Sequence, residues 1–259
     1  MTNQEFKHGL ENEWQKLLIA IQFYSRIPIR LNCAPEEKQL DSASRYAPVV
    51  GALVAGISAA FYYLSEPYLG ATSAAILAVG VGVLVTGAFH EDGLADSADG
   101  FGGGWDRSQV LDIMKDSRIG TYGSCALTLS LLLKVGLLSA LSGASVLIAL
   151  LSVHMLSRAI AVTLIYTMDY VQLDQKTKVK PVAKYLSSRD MRIALALGLM
   201  PLLLLPGAAV IASLSVVILV RQSCQYYFNK RLAGYTGDCL GACQQCCELA
   251  ILIALVASI

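Results

Sequence analysis

The chain has 259 residues, of which 55% are hydrophobic and only 15% are charged. A water-soluble domain of this length needs more polar residues to cover its surface, so the composition argues against a soluble protein. The formal net charge of +1 gives no reason to expect a nucleic-acid partner.

The apolar residues are concentrated in blocks that match the length of a membrane span. A helix needs about 20 mostly apolar residues to cross the hydrocarbon core, with about 17 as a lower limit. The long run at 193–220 contains Pro206-Gly207, a turn signal, so we expect two helices there rather than one kinked helix. The predicted fold is therefore an all-α polytopic membrane bundle of about seven spanning helices. These helices are expected at residues 47–64, 71–89, 121–141, 144–166, 189–205, 207–228 and 240–259.

Lysine and arginine in short connections mark the cytoplasmic side of a membrane protein. Basic residues occur before the first span and in three connections, whereas the connections at 65–70 and 142–143 have none. We therefore predict one membrane domain, residues 1–259, in a bacterial inner membrane, with the N-terminus in the cytoplasm. The cytoplasmic parts are the segment 1–45 and the active-site loops 90–120, 167–192 and 228–240.

The apolar stretch at 17–29 is too short to span a membrane and contains Arg26. It has no small-residue cleavage site, so it is not predicted to be a signal peptide. We expect an amphipathic helix that lies in the membrane interface and contacts lipid.

The first candidate site is an acidic motif at residues 90–100, with the sequence HEDGLADSADG. Asp92, Asp96 and Asp99 stand at i, i+4 and i+7, so on a helix they share one face. Like charges placed in this way repel unless a cation lies between them, and oxygen ligands favour magnesium, or manganese as its substitute. A solvated acidic helix end is the alternative. We favour a metal site with the three aspartates as ligands.

A second motif at residues 114–123, MKDSRIGTYG, supplies basic groups. Lys115 and Arg118 are candidates to bind phosphate oxygens, with Ser117 between them as a further substrate contact. Asp116 is a candidate to complete the metal shell. Alternatively, the basic residues only anchor this loop at the cytoplasmic side.

Two further positions carry chemistry. Arg158 lies well inside the fourth predicted span, and a buried membrane arginine indicates an anionic partner. That partner is either a bound substrate or an aspartate of the acidic motif. Thr236 and Asp238 precede the last span, where either one caps the helix or contributes to the site as a substrate-binding or catalytic group. The three glycines at 102–104 predict a mobile or tightly turned loop.

Acidic metal ligands and basic phosphate-binding groups, without a Ser–His–Asp or Cys–His pattern, indicate phosphoryl or phosphodiester transfer. Asp96 and Asp99 are accordingly predicted to be catalytic. The general base stays open between His90, Asp238 and a metal-bound hydroxide.

The motifs, in this order and separation, resemble the cobalamin synthase family, adenosylcobinamide-GDP ribazoletransferase. The resemblance extends over nearly the whole chain. The matching segments are FYSRIP at 23–28, RYAPVVG at 45–51, the motifs at 90–100 and 114–123, Ser157-Arg158, and TGDCLGA at 236–242.

The resemblance implies a reaction in which α-ribazole, or its 5′-phosphate, attacks adenosylcobinamide-GDP. GMP would leave, and adenosylcobalamin or its 5′-phosphate would form, with magnesium required. It further implies that Asp92, Asp96 and Asp99 bind the metal and that Lys115 and Arg118 hold the diphosphate. The implied partners are these two substrates and other cobalamin-assembly enzymes. Close packing through glycine and alanine is compatible with a homo-oligomer.

The basic segment 178–185 matches the family only loosely, and the cysteine cluster at 239–247 is not part of its pattern. Cysteine in an apolar helix behaves as a small apolar residue, so we expect these thiols in the core.

Two other functions are alternatives to this transferase. A CDP-alcohol phosphatidyltransferase also carries aspartates on helix faces, but that family has an arginine soon after its first Asp-Gly, and here the next arginine is Arg107. A transporter would use Arg158 and Lys134 on an ion or substrate path. Internal repeats, which are frequent in transporters, are not evident in this sequence.

Overall fold

The computed structural model describes residues 3–31, 35–171 and 183–258. The described chain is 84% helical, which confirms the predicted all-α membrane architecture. Cys33 and the lysines at 176, 178 and 180 lie outside the described residues. Within the described residues the α-helices are α1 (Asn3–Tyr24), α2 (Glu37–Ala43), α3 (Ala47–Thr86), α4 (Phe89–Gly103), α5 (Arg107–Lys115), α6 (Thr121–Ser139), α7 (Ala144–Thr167), α8 (Ser188–Leu199), α9 (Gly207–Leu232) and α10 (Gly237–Ser258).

Helix α3 has 40 residues, but it is a hairpin of two helices. Its backbone turns at Gly70, where φ is 75° and ψ is 165°, a conformation that favours glycine. A straight helix would hold Ser58 and Gly82 roughly 36 Å apart. Instead, a Cβ atom placed on Gly82 would lie 3.1 Å from the Ser58 hydroxyl oxygen. The two halves therefore pack antiparallel, as the two separate apolar runs predicted, and the second half ends at Thr86.

Five helical segments of the described chain are long and apolar enough to cross a membrane. The turn at Gly70 divides one of them into two. Six spanning helices are therefore present in the described residues. The predicted span 189–205 corresponds to α8 and the five-residue 3-10 helix Met200–Leu204. It begins with Arg189, Asp190 and Arg192 and is not among the five, so the seventh span stays a prediction.

The connections are sorted between the two ends of the bundle as the basic residues predicted. At one end the Tyr63 hydroxyl donates to the Gly143 carbonyl oxygen at 2.8 Å, which joins the turn of α3 to the α6–α7 turn. At the other end the Arg26 backbone N–H donates to the Val85 carbonyl oxygen at 2.7 Å. The acidic motif lies at this second end.

Helix α7 lies at the centre of the bundle, and 83% of its most apolar stretch of 18 residues is buried. It packs against α3, α8 and α10. Helix α1 packs against α2 and α3 through Ile19 and Ala20, whereas Trp14 is exposed. Helix α1 is longer than the predicted stretch 17–29 and ends at Tyr24, before Pro28.

A network of buried charges ties four helices together inside the bundle. The Lys134 ammonium of α6 donates at 2.6 Å to Glu248 and at 2.6 Å to Gln245, both on α10. Glu248 also accepts from the Arg158 guanidinium of α7 at 3.3 Å. Gln245 donates to Glu91 of α4 at 2.9 Å. Two cations and two anions balance each other, which removes most of the cost of burying them.

Loss of one member of this network should destabilise the folded bundle. We expect Glu248→Ala to lower the free energy of unfolding by about 3–5 kcal/mol, because Lys134 and Arg158 would remain buried without their shared anion. Thermal unfolding in detergent measures the change. The control Glu66→Ala removes an exposed carboxylate and should shift stability by less than about 0.5 kcal/mol. Equal stability of the two variants would contradict a structural role for the network.

Candidate active site

The acidic motif lies on a helix of its own and not on a continuation of the preceding span. Gly87 and Ala88 both have left-handed backbone conformations, with φ of 66° and 57°. They end α3 and start α4 in a new direction. The predicted loop 90–120 is therefore mostly helical, since it contains most of α4 and all of α5. Helix α4 packs against α5, α6 and α10.

The crossing of α4 with α10 is unusually close. A Cβ atom placed on Gly93 would lie 2.9 Å from the Asp238 carbonyl oxygen and 3.2 Å from the Gly241 α-carbon. A Cβ atom placed on Gly241 would lie 3.2 Å from the His90 carbonyl oxygen. A side chain at either glycine would therefore crowd the opposite backbone. With glycine at both positions, the backbone of Asp238 lies directly against the acidic motif.

This crossing assembles three carboxylates, those of Asp92, Asp96 and Asp238, which we call the acid cluster. Asp92 is exposed, and Asp96 and Asp238 are partly buried. Burial and the negative charges of Asp238, Asp92 and Asp99 raise the pKa of Asp96 to about 7. Several carboxylates that repel one another in this way form a site that a bound cation would stabilise.

Asp99 is held differently, although it shares the same face of α4. Its two carboxylate oxygens accept from the backbone N–H groups of Gly120, at 2.6 Å, and Gly123, at 2.8 Å. Asp99 is 8% exposed. It therefore caps the N-terminus of α6, and the predicted triad of ligands on one helix is divided between two tasks.

The second motif forms the exposed turn between α5 and α6. The Arg118 guanidinium donates to Asp116 at 2.6 Å and 3.0 Å, and these bonds lower the pKa of Asp116 to about 2. Asp116 is thus paired with Arg118 and not placed among the acid cluster. Lys115 and Ser117 are exposed in the same turn, and Lys115 lies 4.0 Å from Asp112.

His90 and Arg158 lie on the interior side of α4, away from the exposed Asp92. His90 is 4% exposed, stacks on Tyr24, and has its pKa held well below its usual range by burial and by Arg158. Arg158 is 2% exposed, and its anionic partner is Glu248. The predicted alternative, a pairing of Arg158 with an aspartate of the acidic motif, was wrong.

The segment that precedes α10 closes the site. Thr236 is buried and accepts from the Cys239 backbone N–H at 3.3 Å, so it caps α10, which begins at Gly237 and not at residue 240. Tyr235 pairs its backbone with the segment after α7 by donating to the Asp169 carbonyl oxygen at 2.9 Å. Cys239, Cys243 and Cys247 are buried in α10, as the apolar pattern predicted.

The glycines at 102–104 do not form a mobile loop. The first two belong to α4, and Gly104 ends it. The Arg231 guanidinium of α9 donates to the Gly104 carbonyl oxygen at 2.6 Å and to that of Phe101 at 3.3 Å. A cation at the C-terminus of a helix stabilises it, so this end of α4 is fixed.

Comparison with known proteins agrees with the residue pattern. The family model described as cobalamin-5-phosphate synthase matches residues 16–256. The chain belongs to the cobalamin-5-phosphate synthase family. It is 44% identical over 253 residues to the adenosylcobinamide-GDP ribazoletransferase of Shewanella frigidimarina, covering 93% of this chain and 97% of the relative. It is 41% identical over 250 residues to the enzyme of the same name from Shewanella sp. strain W3-18-1, covering 94% and 95%. No solved structure matches the chain.

Membership of the family confirms the resemblance that the motifs predicted. One contact within this family member was missed from its sequence. Lys134 was considered only for a transporter path and Glu248 was given no role, yet they form one buried ion pair. Their opposite charges inside apolar segments were the available signal, because a lone charge at membrane depth requires a partner.

The two aspartates at the ends of the acidic face should differ in their effect on stability. We expect Asp99→Ala to lower the free energy of unfolding by about 0.5–2 kcal/mol, since the α6 N-terminus would lose its cap. Asp92→Ala, at an exposed position, should leave stability unchanged or raise it slightly. Thermal unfolding of the two variants beside the wild type measures this, and a larger loss for Asp92→Ala would show that the cap is assigned to the wrong residue.

The raised pKa of Asp96 predicts a pH-dependent stability. The folded state keeps this proton up to about pH 7, whereas an unfolded aspartate loses it near pH 4. The contribution of Asp96 to the free energy of unfolding is therefore lost as pH rises between these two values. The free energy of unfolding is lowest above pH 7, where Asp96 is ionised. Without divalent metal, Asp96→Asn should raise the melting temperature at pH 8 by about 2–4 °C, and by less at pH 5. An equal effect at both pH values would contradict the shifted pKa.

Proposed function

We propose that this chain transfers the cobinamide phosphate of adenosylcobinamide-GDP to α-ribazole or α-ribazole 5′-phosphate, with a divalent cation at the acid cluster. The observation that carries this proposal is the α4–α10 crossing, which brings the backbone of Asp238 against the helix of Asp92 and Asp96. The relatives named for this reaction, which match more than nine-tenths of this chain, support it.

The bond changes of the proposed reaction are balanced. The ribose hydroxyl oxygen of the acceptor forms a bond to the cobinamide-side phosphorus of the donor. The bond from this phosphorus to the bridging oxygen of the diphosphate breaks, and GMP leaves. The hydroxyl proton passes to a carboxylate of the acid cluster.

The position of His90 disfavours it as the general base. It is buried on the interior face of α4, with a lowered pKa, whereas the acid cluster is partly open to solvent. The proton acceptor is accordingly assigned to the aspartates, with Asp238 as the member that the sequence analysis had also named. Lys115, Ser117 and Arg118 are proposed to contact the diphosphate of the donor from the exposed turn.

Magnesium is proposed as the cation, with manganese as a substitute. The cluster fits a hard cation by charge and by donor type, because its members are carboxylates whose negative charges repel one another. Among the described residues no three acidic, histidine or cysteine side chains converge closely enough to form a finished metal site. Asp92, Asp96 and Asp238 would hold the ion, and the bound ion would offset negative charge on the reacting phosphates. Asp99 and Asp116 are disfavoured as ligands by their existing partners.

The location follows from the multi-pass architecture. We place the chain in the bacterial inner membrane with the acid cluster facing the cytoplasm, since the basic residues predict this side. The CDP-alcohol and transporter alternatives receive no support from the family or its named members. The buried charges at Lys134 and Arg158, which motivated a transporter, pair with Glu248 within the bundle.

The test uses purified protein in liposomes with adenosylcobinamide-GDP and α-ribazole 5′-phosphate. GMP and the corrinoid product are followed by chromatography, with and without magnesium. We expect magnesium-dependent product from the wild type and a loss of about 100-fold or more in Asp96→Asn, because a charged member of the cluster is removed.

Glu66→Gln is the matched control, since it removes an exposed carboxylate at the opposite end of the bundle and should keep full activity. Absence of product from folded wild-type protein would reject the proposed reaction. Full activity of Asp96→Asn would keep the reaction but remove Asp96 from the site. Full activity without any divalent metal would reject the cation.

A further inference from the structure

A cavity that adjoins the acid cluster lies between α1, α2 and the start of α4. Its volume is about 460 Å³. The wall is mixed, with polar and apolar side chains in similar numbers. It includes an edge-to-face aromatic pair formed by Phe23 and Phe89, whose ring centroids are 5.5 Å apart. Arg26 and Asp92 are its charged members.

Arg26 is held in place by its backbone, which leaves its charge available. Its N–H donates to the Val85 carbonyl oxygen at 2.7 Å. Its side chain lies across Gly87, where an added Cβ atom would be only 2.2 Å from the Arg26 Nε. The exposed guanidinium makes no hydrogen bond or ion pair with another side chain in the described part of the chain. A guanidinium that is exposed to a cavity in this way is suited to bind a phosphate group.

Asp92 belongs both to this cavity and to the acid cluster. A ligand in the cavity therefore has direct access to the reacting region. The basic turn at 115–118 lies near the other end of the acidic face, because Gly120 contacts Asp99. Asp92 and Asp99 are about 10 Å apart along α4. Cationic groups thus flank the acidic face at both ends, which provides separate places for two phosphate-bearing substrates.

We propose, resting on the proposed function, that this cavity binds the acceptor, an aromatic nucleoside 5′-phosphate. Arg26 binds the 5′-phosphate, Phe23 and Phe89 contact the base, and the ribose hydroxyl points toward Asp92. Arg26 is then a specificity-determining residue that distinguishes the phosphorylated acceptor from the free nucleoside.

Size and composition favour the acceptor over the donor. Small-molecule sites have volumes of about 300–1,000 Å³, and this cavity lies within that range. The donor carries a corrin macrocycle in addition to its nucleotide and requires a wider opening. The Phe23–Phe89 pair suits an aromatic base, and the single guanidinium suits a single phosphate.

The test compares two acceptors in the Arg26→Gln variant. With α-ribazole 5′-phosphate, kcat/KM should fall by about 10–100-fold, mainly through KM, because a charge-assisted phosphate contact is lost. With α-ribazole, kcat/KM should change by less than about threefold, since this acceptor has no phosphate to bind. Binding of each acceptor without donor, followed by thermal shift, should show the same difference.

The control is Arg30→Gln, which removes the same charge from the same segment without lining this cavity. It should leave the ratio of the two acceptors unchanged. Arg26→Lys, which keeps the charge, should restore part of the preference and serves if Arg26→Gln folds poorly.

Three outcomes would overturn the proposal. An equal loss with both acceptors would show that Arg26 does not bind the acceptor phosphate. A raised KM for the donor alone would assign Arg26 to the donor diphosphate. A loss that depends on the anionic lipid content of the liposomes would assign it to a lipid headgroup. Each outcome requires an active wild type, so failure here is distinct from failure of the proposed reaction.

Discussion

The site depends on the close contact between α4 and α10, where Gly93 and Gly241 allow two helix backbones to approach without side chains between them. A side chain at either position would push the helices apart and move Asp238 away from the aspartates of α4. The carboxylates of the acid cluster belong to residues almost 150 positions apart, so their proximity is produced by this one contact. Burial raises the pKa of Asp96, and the negative charge of Asp238, which this contact brings near, adds to the effect.

The buried charges inside the bundle support the same crossing from the membrane side. Glu91, one residue before Asp92, accepts a hydrogen bond from Gln245 of α10. Gln245 and Glu248 both accept hydrogen bonds from the Lys134 ammonium. Because an unpaired charge in this environment is costly, the helices have few alternative registers in which these groups remain satisfied. The interior of the bundle thus helps to fix the geometry of carboxylates at its surface.

The role of each acidic residue depends on its neighbours in space. Three aspartates with helical spacing were predicted to act together, and they do share a face of α4. Asp99 is nevertheless occupied by two backbone N–H groups of α6. Asp116 is likewise occupied by Arg118. The sequence shows that such groups can lie near one another, but the choice between a metal, a helix end and an arginine depends on how the helices pack.

The sequence by itself determined the membrane class, six of the apolar segments, the sorting of connections to two ends and the family. These properties depend on local composition and spacing, because a span must be apolar over its whole length and a helical face repeats every three or four residues. Only the tertiary structure decided that Asp238 joins Asp92 and Asp96, that Asp99 caps α6, and that Glu248 is the anion beside Arg158. The physical reason is that contacts between helices depend on close packing of residues distant in the chain, and periodicity within one helix does not specify them.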